Sequence, residues 1–288
     1  MALSSPANTE RSSMNQTPVS PGKAAIAIAT APLVFVTGAS SGIGQALAMH
    51  YYRAGWRLAL VARRRDVIDA WAAGQGLEAG RWASYHADVA VIDSIVAAAQ
   101  ACLETQGVPD IVIANAGISV GIDTADRGDL DVLAQSFAVN TVGLAATFHA
   151  FVRPMTARGS GRLVGIASVA GIRGLPGHGA YCGSKAGAIA YCESLRGDMR
   201  GTGVQVVTLC PGYVDTPLTR ENRYGMPFLM QPEVFVAQAA AAIEAGATMR
   251  VIPWQMGVVA RLLRVLPNWL FDRLLAGRAR KLRRGESS

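Results

Sequence analysis

The sequence predicts a doubly wound α/β domain, a mostly parallel sheet with helices on both faces. Three observations carry that expectation. Short apolar runs alternate with segments of helical length from Leu33 to Leu209, the pattern of a covered parallel sheet. A glycine-rich turn stands between the first strand and the first helix. No linker and no repeat of fixed period interrupts residues 32–255.

The elements follow in order. Leu33 to Thr37 reads as a buried, β-branched strand, Gly38 to Gly44 as a loop, and Gln45 to Ala54 as a helix ended by Gly55. Arg57 to Ala62 is a second apolar strand. A helix near 66–73 precedes the extended segment Ala83 to Asp88, and a helix over about 91–106 follows. Asp110 to Asn115 is the next strand. One long helix is expected over about 130–157, then the strand Arg162 to Ala167, a helix over about 179–200, and the strand Val204 to Leu209, stopped by Pro211-Gly212. An alanine-rich helix is expected near 232–246. Residues 1–31 open with Ser, Asn, Thr and Pro and read as a flexible extension. Residues 32–255 read as one domain, and 256–288 as a basic, amphipathic helical extension.

The net charge of +7 is unevenly placed. Residues 1–249 hold 18 basic and 18 acidic residues, whereas residues 250–288 hold nine Arg or Lys against Asp272 and Glu286. Such a tail suits an anionic surface. The four cysteines (Cys102, Cys182, Cys192, Cys210) form no C-x-x-C pair and have no metal-ligand spacing. They read as reduced thiols in a cytoplasmic protein, with no metal site; Cys182, beside Tyr181, reads as a small filler. No run of about 18 apolar residues is free of charge, so no spanning helix is expected. Ala24 to Val36, after Lys23, imitates a short signal peptide. It flows directly into the glycine turn, however, and cleavage there would destroy the first strand.

That turn is Thr37-Gly38-Ala39-Ser40-Ser41-Gly42-Ile43-Gly44. In such a turn one glycine permits the tight bend, one lets a pyrophosphate approach the backbone, and one lets the helix pack closely on the strand. The helix N-terminus offers free N–H groups to the phosphates. Gly38, Ser40, Ser41, Gly42, Ile43 and Gly44 are therefore expected to hold a dinucleotide. The second strand ends in Ala62-Arg63-Arg64-Arg65-Asp66. An acid at this strand end binds a ribose 2′-hydroxyl, and an arginine accommodates a 2′-phosphate. Arg63 first, and Arg64 second, favour NADP(H); the alternative is a solvated basic corner.

Tyr181-Cys182-Gly183-Ser184-Lys185 places a phenol and an ammonium on one helix face. A nearby ammonium favours the phenolate and is expected to lower the tyrosine pKa toward proton transfer near neutrality. Ser168 stands just past a strand end, where its hydroxyl can meet a substrate carbonyl.

Thr37-Gly38-x-x-x-Gly42-x-Gly44, Asn115-Ala116-Gly117, Asn140, Ser168, Tyr181-x-x-x-Lys185 and Pro211-Gly212 occur in register. In order and spacing the chain resembles the short-chain dehydrogenase/reductase family over about 32–255. The resemblance implies a single Rossmann-type domain with about seven parallel strands, and commonly a homodimer or homotetramer. It implies that Tyr181 exchanges a proton with the substrate oxygen. Lys185 would lower the Tyr181 pKa and hold the nicotinamide ribose, Ser168 would position the substrate oxygen, and Asn140 would support a water in the relay. It further implies that Asp88, with Val89, meets the adenine. Asn115, Ala116 and Gly117 would border the adenosine half. Pro211, Gly212, Val214 and Thr216 would line the cofactor, Thr216 at its nicotinamide end.

Outside the motifs, Tyr213 to Pro232 reads as a substrate lid. Its Tyr224, Met226, Phe228 and Leu229 suit an apolar or lipid-like substrate; Arg220 and Arg223 read as solvated. His178 reads as incidental in a glycine-rich loop. Val258, Val259, Leu262, Leu263, Leu266 and Leu270 recur at helical spacing among Arg261, Arg264, Arg273, Arg278, Arg280, Lys281, Arg283 and Arg284, broken at Pro267. Two readings stand for this tail: a peripheral contact with an anionic membrane, or packing on the domain as a wall of the substrate pocket. No nucleic-acid motif accompanies the charge. The expected function is NADP(H)-dependent interconversion of a carbonyl and an alcohol. The alternatives are a non-catalytic NADP-binding sensor or scaffold, and an epimerase or dehydratase on the same fold.

Overall fold

The computed structural model describes Met1 and residues 30–220, 222, 224–277 and 280–286. The extension expected over 1–31 lies mostly outside the described residues, as do Arg223 and Arg278. By contacts the chain divides into Met1–Ala31 and Pro32–Ser288, the second including the basic tail.

The second unit alternates strands and helices: β1 (Leu33–Thr37), α1 (Gly42–Arg53), β2 (Arg57–Ala62), α2 (Arg65–Gly74), β3 (Trp82–His86), α3 (Ile92–Thr105) and β4 (Ile111–Ala114). Then come α4 (Arg127–Phe137), a π-helical turn (Ala138–Val142), α5 (Gly143–Arg158), β5 (Gly161–Ile166), α6 (Gly179–Asp198) and β6 (Val204–Pro211). The last elements are α7 (Pro217–Arg220), α8 (Pro232–Glu244), β7 (Met249–Ile252), α9 (Trp254–Val265) and α10 (Asn268–Leu275). The seven strands run in the order β3-β2-β1-β4-β5-β6-β7, every neighbouring pair parallel.

Strand side chains point alternately to opposite faces, and here both faces are buried. Leu33 and Phe35 of β1 join Val112, Ala99, Phe148 and Cys192 on one side. Val34 and Val36 join Ile113, Leu47, Ile68 and Phe235 on the other. Apolar runs without polar alternation follow from that double cover. The strand order reverses between β1 and β4, and in such sheets ligands bind at this switch, beyond the carboxyl ends of the strands.

Two expectations change. The first helix begins at Gly42, so the last part of the glycine turn is already helical. The long helix expected over 130–157 is two helices joined by the π turn, which carries Asn140. Inserted π turns often mark functional positions. Hydropathy does not distinguish them, because the apolar faces of α4 and α5 continue through.

Candidate active site

The switch point is built from small residues and backbone. Thr37 Oγ1 accepts from the amides of Asn115 (3.1 Å) and Ala116 (3.2 Å), and Asn115 Nδ2 donates back to the Thr37 carbonyl (2.9 Å). The end of β1 is thereby sewn to the end of β4. Gly38 takes φ +69° at the turn, a region that suits glycine. At Gly44 a Cβ would stand 2.2 Å from the Gly38 carbonyl oxygen, so only glycine lets α1 approach this closely. Ser41, the N-cap of α1, makes no side-chain cap hydrogen bond. The first turn of α1 thus keeps its N–H groups for an anion.

Ser41, Gly42 and Ile43 line one side of a cleft, and Asn115, Ala116 and Gly117 its floor. Pro211, Gly212, Val214 and Thr216 line the other side. The chain past β6 is held in shape by Thr219, whose hydroxyl donates to the Val214 carbonyl at 2.6 Å. Ser40, Asp88 and Val89 are not among the cleft-lining side chains. Asp88 accepts from the Ala90 amide at 3.0 Å and caps its own turn, and Val89 is buried against Gly143. Past β2, Arg65 donates to Ser84 (2.9 Å) and pairs with Asp69. Arg63 and Arg64 are exposed and form no ion pair among the described residues.

Ser168, Tyr181 and Lys185 close the inner end of the cleft. Ser168 follows β5 and accepts from the Ala170 amide at 3.1 Å, which fixes its rotamer. Tyr181 and Lys185 lie one turn apart on α6. Lys185 Nζ is buried and donates to the Ile166 carbonyl at 2.7 Å. Burial pulls its pKa down to about 8. Burial likewise pushes the Tyr181 phenol up to about 12, opposed by the Ser168 hydroxyl. The depression of Tyr181 by Lys185 expected from spacing alone is therefore not what the protein's own groups produce. Desolvation dominates the phenol, and the Lys185 ammonium is itself short of water.

Asn140 does not reach into the cleft. Its Oδ1 accepts from Ile118 N and its Nδ2 donates to Ile118 O, both at 2.9 Å. Nδ2 also donates to Ser184 Oγ at 2.9 Å, and Ser184 in turn donates to the Tyr181 carbonyl at 3.0 Å. Both amide protons are thus committed to clamping the loop after β4 onto α6.

Beyond Tyr181 the cleft opens into a second cavity of about 370 Å³. Ser168, Tyr181, Gly212, Leu218 and Thr219 belong to both. Its lining is largely apolar: Val169, Leu175, Tyr213, Tyr224, Pro227, Met256, Val259, Leu263 and Leu275 among others. Of the lid residues expected to meet an apolar substrate, Tyr224 lines the cavity, with Pro227, whereas Met226 does not and Phe228 and Leu229 are exposed; the inner face of the C-terminal helices also lines it. Three residues that sequence reasoning undervalued line this cavity, His178, Arg173 and Lys281, and a fourth, Arg283, anchors the tail beside it. His178 is buried with its pKa lowered, hence neutral near pH 7, and its Nε2 lies 3.2 Å from Tyr224 Oη. Arg173 donates to the carbonyls of Leu263 (2.7 Å), Arg264 (2.9 Å) and Leu266 (3.0 Å) and stacks 4.0 Å over Phe271. It caps the end of α9 and fixes the α9–α10 corner. Lys281 Nζ donates to Asn222 Oδ1 at 2.5 Å, and Arg283 joins Asp126 and Asp129, strapping the tail across the cavity.

A family model described as short chain dehydrogenase matches residues 32–226. This chain belongs to the short-chain dehydrogenase/reductase family. It is an oxidoreductase of that family, whose fold takes a nicotinamide cofactor and a small-molecule substrate. It is 40% identical over 253 residues to an uncharacterized oxidoreductase of Myxococcus xanthus, covering 86% of this chain and 96% of that protein. It is 31% identical over 276 residues to dehydrogenase/reductase SDR family member 7B of Bos taurus, covering 89% and 84%. A short-chain dehydrogenase from Streptomyces avermitilis superposes with TM-score 0.72 at 25% identity, over 81% of this chain and 92% of that one. An alcohol dehydrogenase from the archaeon Thermococcus sibiricus, complexed with 5-hydroxy-NADP, gives TM-score 0.67 at 27% identity, over 77% and 95%. Among the described residues no helix is long and apolar enough to cross a membrane.

Proposed function

We propose that this oxidoreductase moves a hydride between NADP(H) and the carbonyl or alcohol carbon of an apolar small molecule, with Tyr181 as general acid or base. The observation that carries the reading is the junction. Tyr181 and Ser168 are among the side chains that line both the polar cleft and the apolar cavity beside it, and they are the two whose hydroxyl groups stand beside Lys185 at the inner end of the cleft. A reacting oxygen at that junction meets a hydroxyl and a phenol while its apolar remainder fills the cavity.

The bound nicotinamide supplies or receives the hydride. In reduction, Ser168 donates a hydrogen bond to the carbonyl oxygen and Tyr181 gives it the proton. A phenol pushed up to about 12 is fully protonated near neutrality, which suits the acid role. The phenolate that results forms close to Lys185, whose charge favours it. Lys185 also offers donors to ribose hydroxyls. Asn140 acts as a positioning residue through Ile118 and Ser184.

Three facts support the cofactor assignment. The uncapped first turn of α1 suits a pyrophosphate. Asp88, Val89 and Asn115 to Gly117 lie along the carboxyl edge of the sheet, where an adenosine would extend. Among the described residues Arg63 and Arg64 have no acidic partner, which suits a 2′-phosphate; the Thermococcus sibiricus alcohol dehydrogenase is complexed with 5-hydroxy-NADP. The same reading includes a homodimer or homotetramer, a cytoplasmic setting that suits four buried thiols, and a peripheral contact with an anionic membrane. NADPH oxidation over a panel of short, long-chain and steroid carbonyls tests it. Turnover that grows with apolar bulk is expected; NADPH binding with no turnover of any carbonyl would count against catalysis and for a sensor.

A further inference from the structure

α9 is apolar on two opposite sides. Its inner side gives Met256, Ala260 and Leu263 to the substrate cavity. Its outer side carries Trp254, Val258, Leu262 and Val265, which are 69%, 44%, 59% and 77% exposed. At about 100° of rotation per residue these four fall within an arc of roughly 80°, with Arg261 at its edge. On α10, Trp269 (69% exposed) and Arg273 stand four residues apart on one solvent-facing side, opposite the buried Phe271 and Leu275. A stable surface helix turns its polar residues outward. Here two tryptophans and three branched aliphatic residues face out, with arginines between them. That is the pattern of helices lying in a lipid interface, where tryptophan sits at headgroup level and arginine meets the phosphates.

We infer that the outer face of α9 and α10 docks on an anionic bilayer, and that the cavity behind it takes a long-chain carbonyl compound from that bilayer. The substrate half of this inference rests on the catalytic reading above; the docking half does not. Charge selects the occupant. On α9 and α10 themselves Arg261, Arg264 and Arg273 are exposed against the single acid Asp272, whereas Lys281 and Arg283 are turned to the domain. A second copy docked through a two-fold axis would set this cationic face against itself. Anionic headgroups neutralise it. The route follows from Val259 and Leu274, which line the cavity and are also exposed, so the cavity wall is continuous with the outer face where the two helices meet. Arg173 holds that corner from within, through three carbonyls of the α9–α10 turn.

The test uses the full-length chain with two kinds of vesicle, phosphatidylcholine alone and phosphatidylcholine mixed with phosphatidylglycerol. Co-sedimentation is expected with the mixed vesicles only, and high salt should release the protein. The triple variant Trp254→Ser, Leu262→Ser, Trp269→Ser should bind them about tenfold more weakly. It should keep the wild-type rate on a short, water-soluble ketone and lose about tenfold on a long-chain ketone held in the vesicles. A wild-type protein that ignores anionic vesicles overturns the inference. So does a triple variant that binds them equally well, or a wild-type dimer that the triple substitution splits, since a second copy would then cover this face. Vesicle binding with no turnover of either ketone overturns the catalytic reading and supports the docking alone.

Discussion

On one side of Tyr181 the cleft is held by short groups and backbone; on the other the cavity is held by long side chains. Thr37, Asn115 and the glycines of the first turn join two strand ends through bonds that involve main-chain atoms. Arg173, Lys281 and Arg283 instead reach across the fold to carbonyls, an amide and two carboxylates, and they close the cavity with the last part of the chain. A backbone-built site tolerates few residue types, since a single methyl group collides. A site walled by side chains admits many sequences of similar volume. On the proposed reading the first kind of region holds the cofactor, and the second is free to set the substrate.

Substitutions should therefore separate the two sides. The largest effect is expected at Gly44→Ala, where the added methyl meets the Gly38 carbonyl at 2.2 Å. Overpacking of this kind costs about 1–3 kcal/mol. Cofactor affinity measured by fluorescence titration should fall about 10- to 100-fold. A variant that binds NADPH normally would break the claim that backbone approach builds the cleft. Arg63→Asp should come next, lowering NADPH affinity roughly tenfold or more, as expected for a lost charged hydrogen bond, while NADH binding holds. An unchanged ratio would return Arg63 to the solvated corner.

Arg173→Ala probes the other side. Losing its bonds to the α9–α10 corner should lower stability by about 1.5–3 kcal/mol in urea unfolding. KM for bulky carbonyls should rise while the NADPH dissociation constant stays put; equal changes in both would mean that the two sides are not independent. The smallest effect is in pH. With Lys185 held near 8, kcat/KM for NADPH should be level below that pH and fall above it as the ammonium is lost. The same group gives stability the opposite slope. Between about 8 and its ordinary 10.5 the unfolded chain binds more protons than the folded one, so its contribution to stability rises with pH over that window. A descending limb only above pH 10 would remove Lys185 from cofactor binding.

The same contrast explains what the amino-acid sequence made legible. The sheet was readable because strands buried on both faces are apolar throughout. The cleft was readable because Gly38, Gly42, Gly44 and Asn115 answer to backbone geometry that few other residues satisfy. β7 left little trace: Met249–Ile252 is four residues long and half exposed, and it entered the reading only through family resemblance. The π turn at Asn140 was hidden because the apolar pattern runs through it. Arg173 drew no reading, and Arg283 was read only as one charge of the basic tail, since neither spacing nor hydropathy reveals a guanidinium that reaches 90 or 154 residues away. The pKa of Tyr181 was misjudged for a related reason. Spacing gives the neighbouring ammonium but not the depth of burial that opposes it.

The most direct test of the proposed chemistry is Tyr181→Phe, assayed for NADPH binding and for turnover of the best carbonyl in one preparation. Removing the proton donor at the junction should lower kcat by roughly 10²- to 10⁴-fold and leave the NADPH dissociation constant within about twofold, because the ring still fills its place. Wild-type turnover by that variant would contradict Tyr181 as the acid.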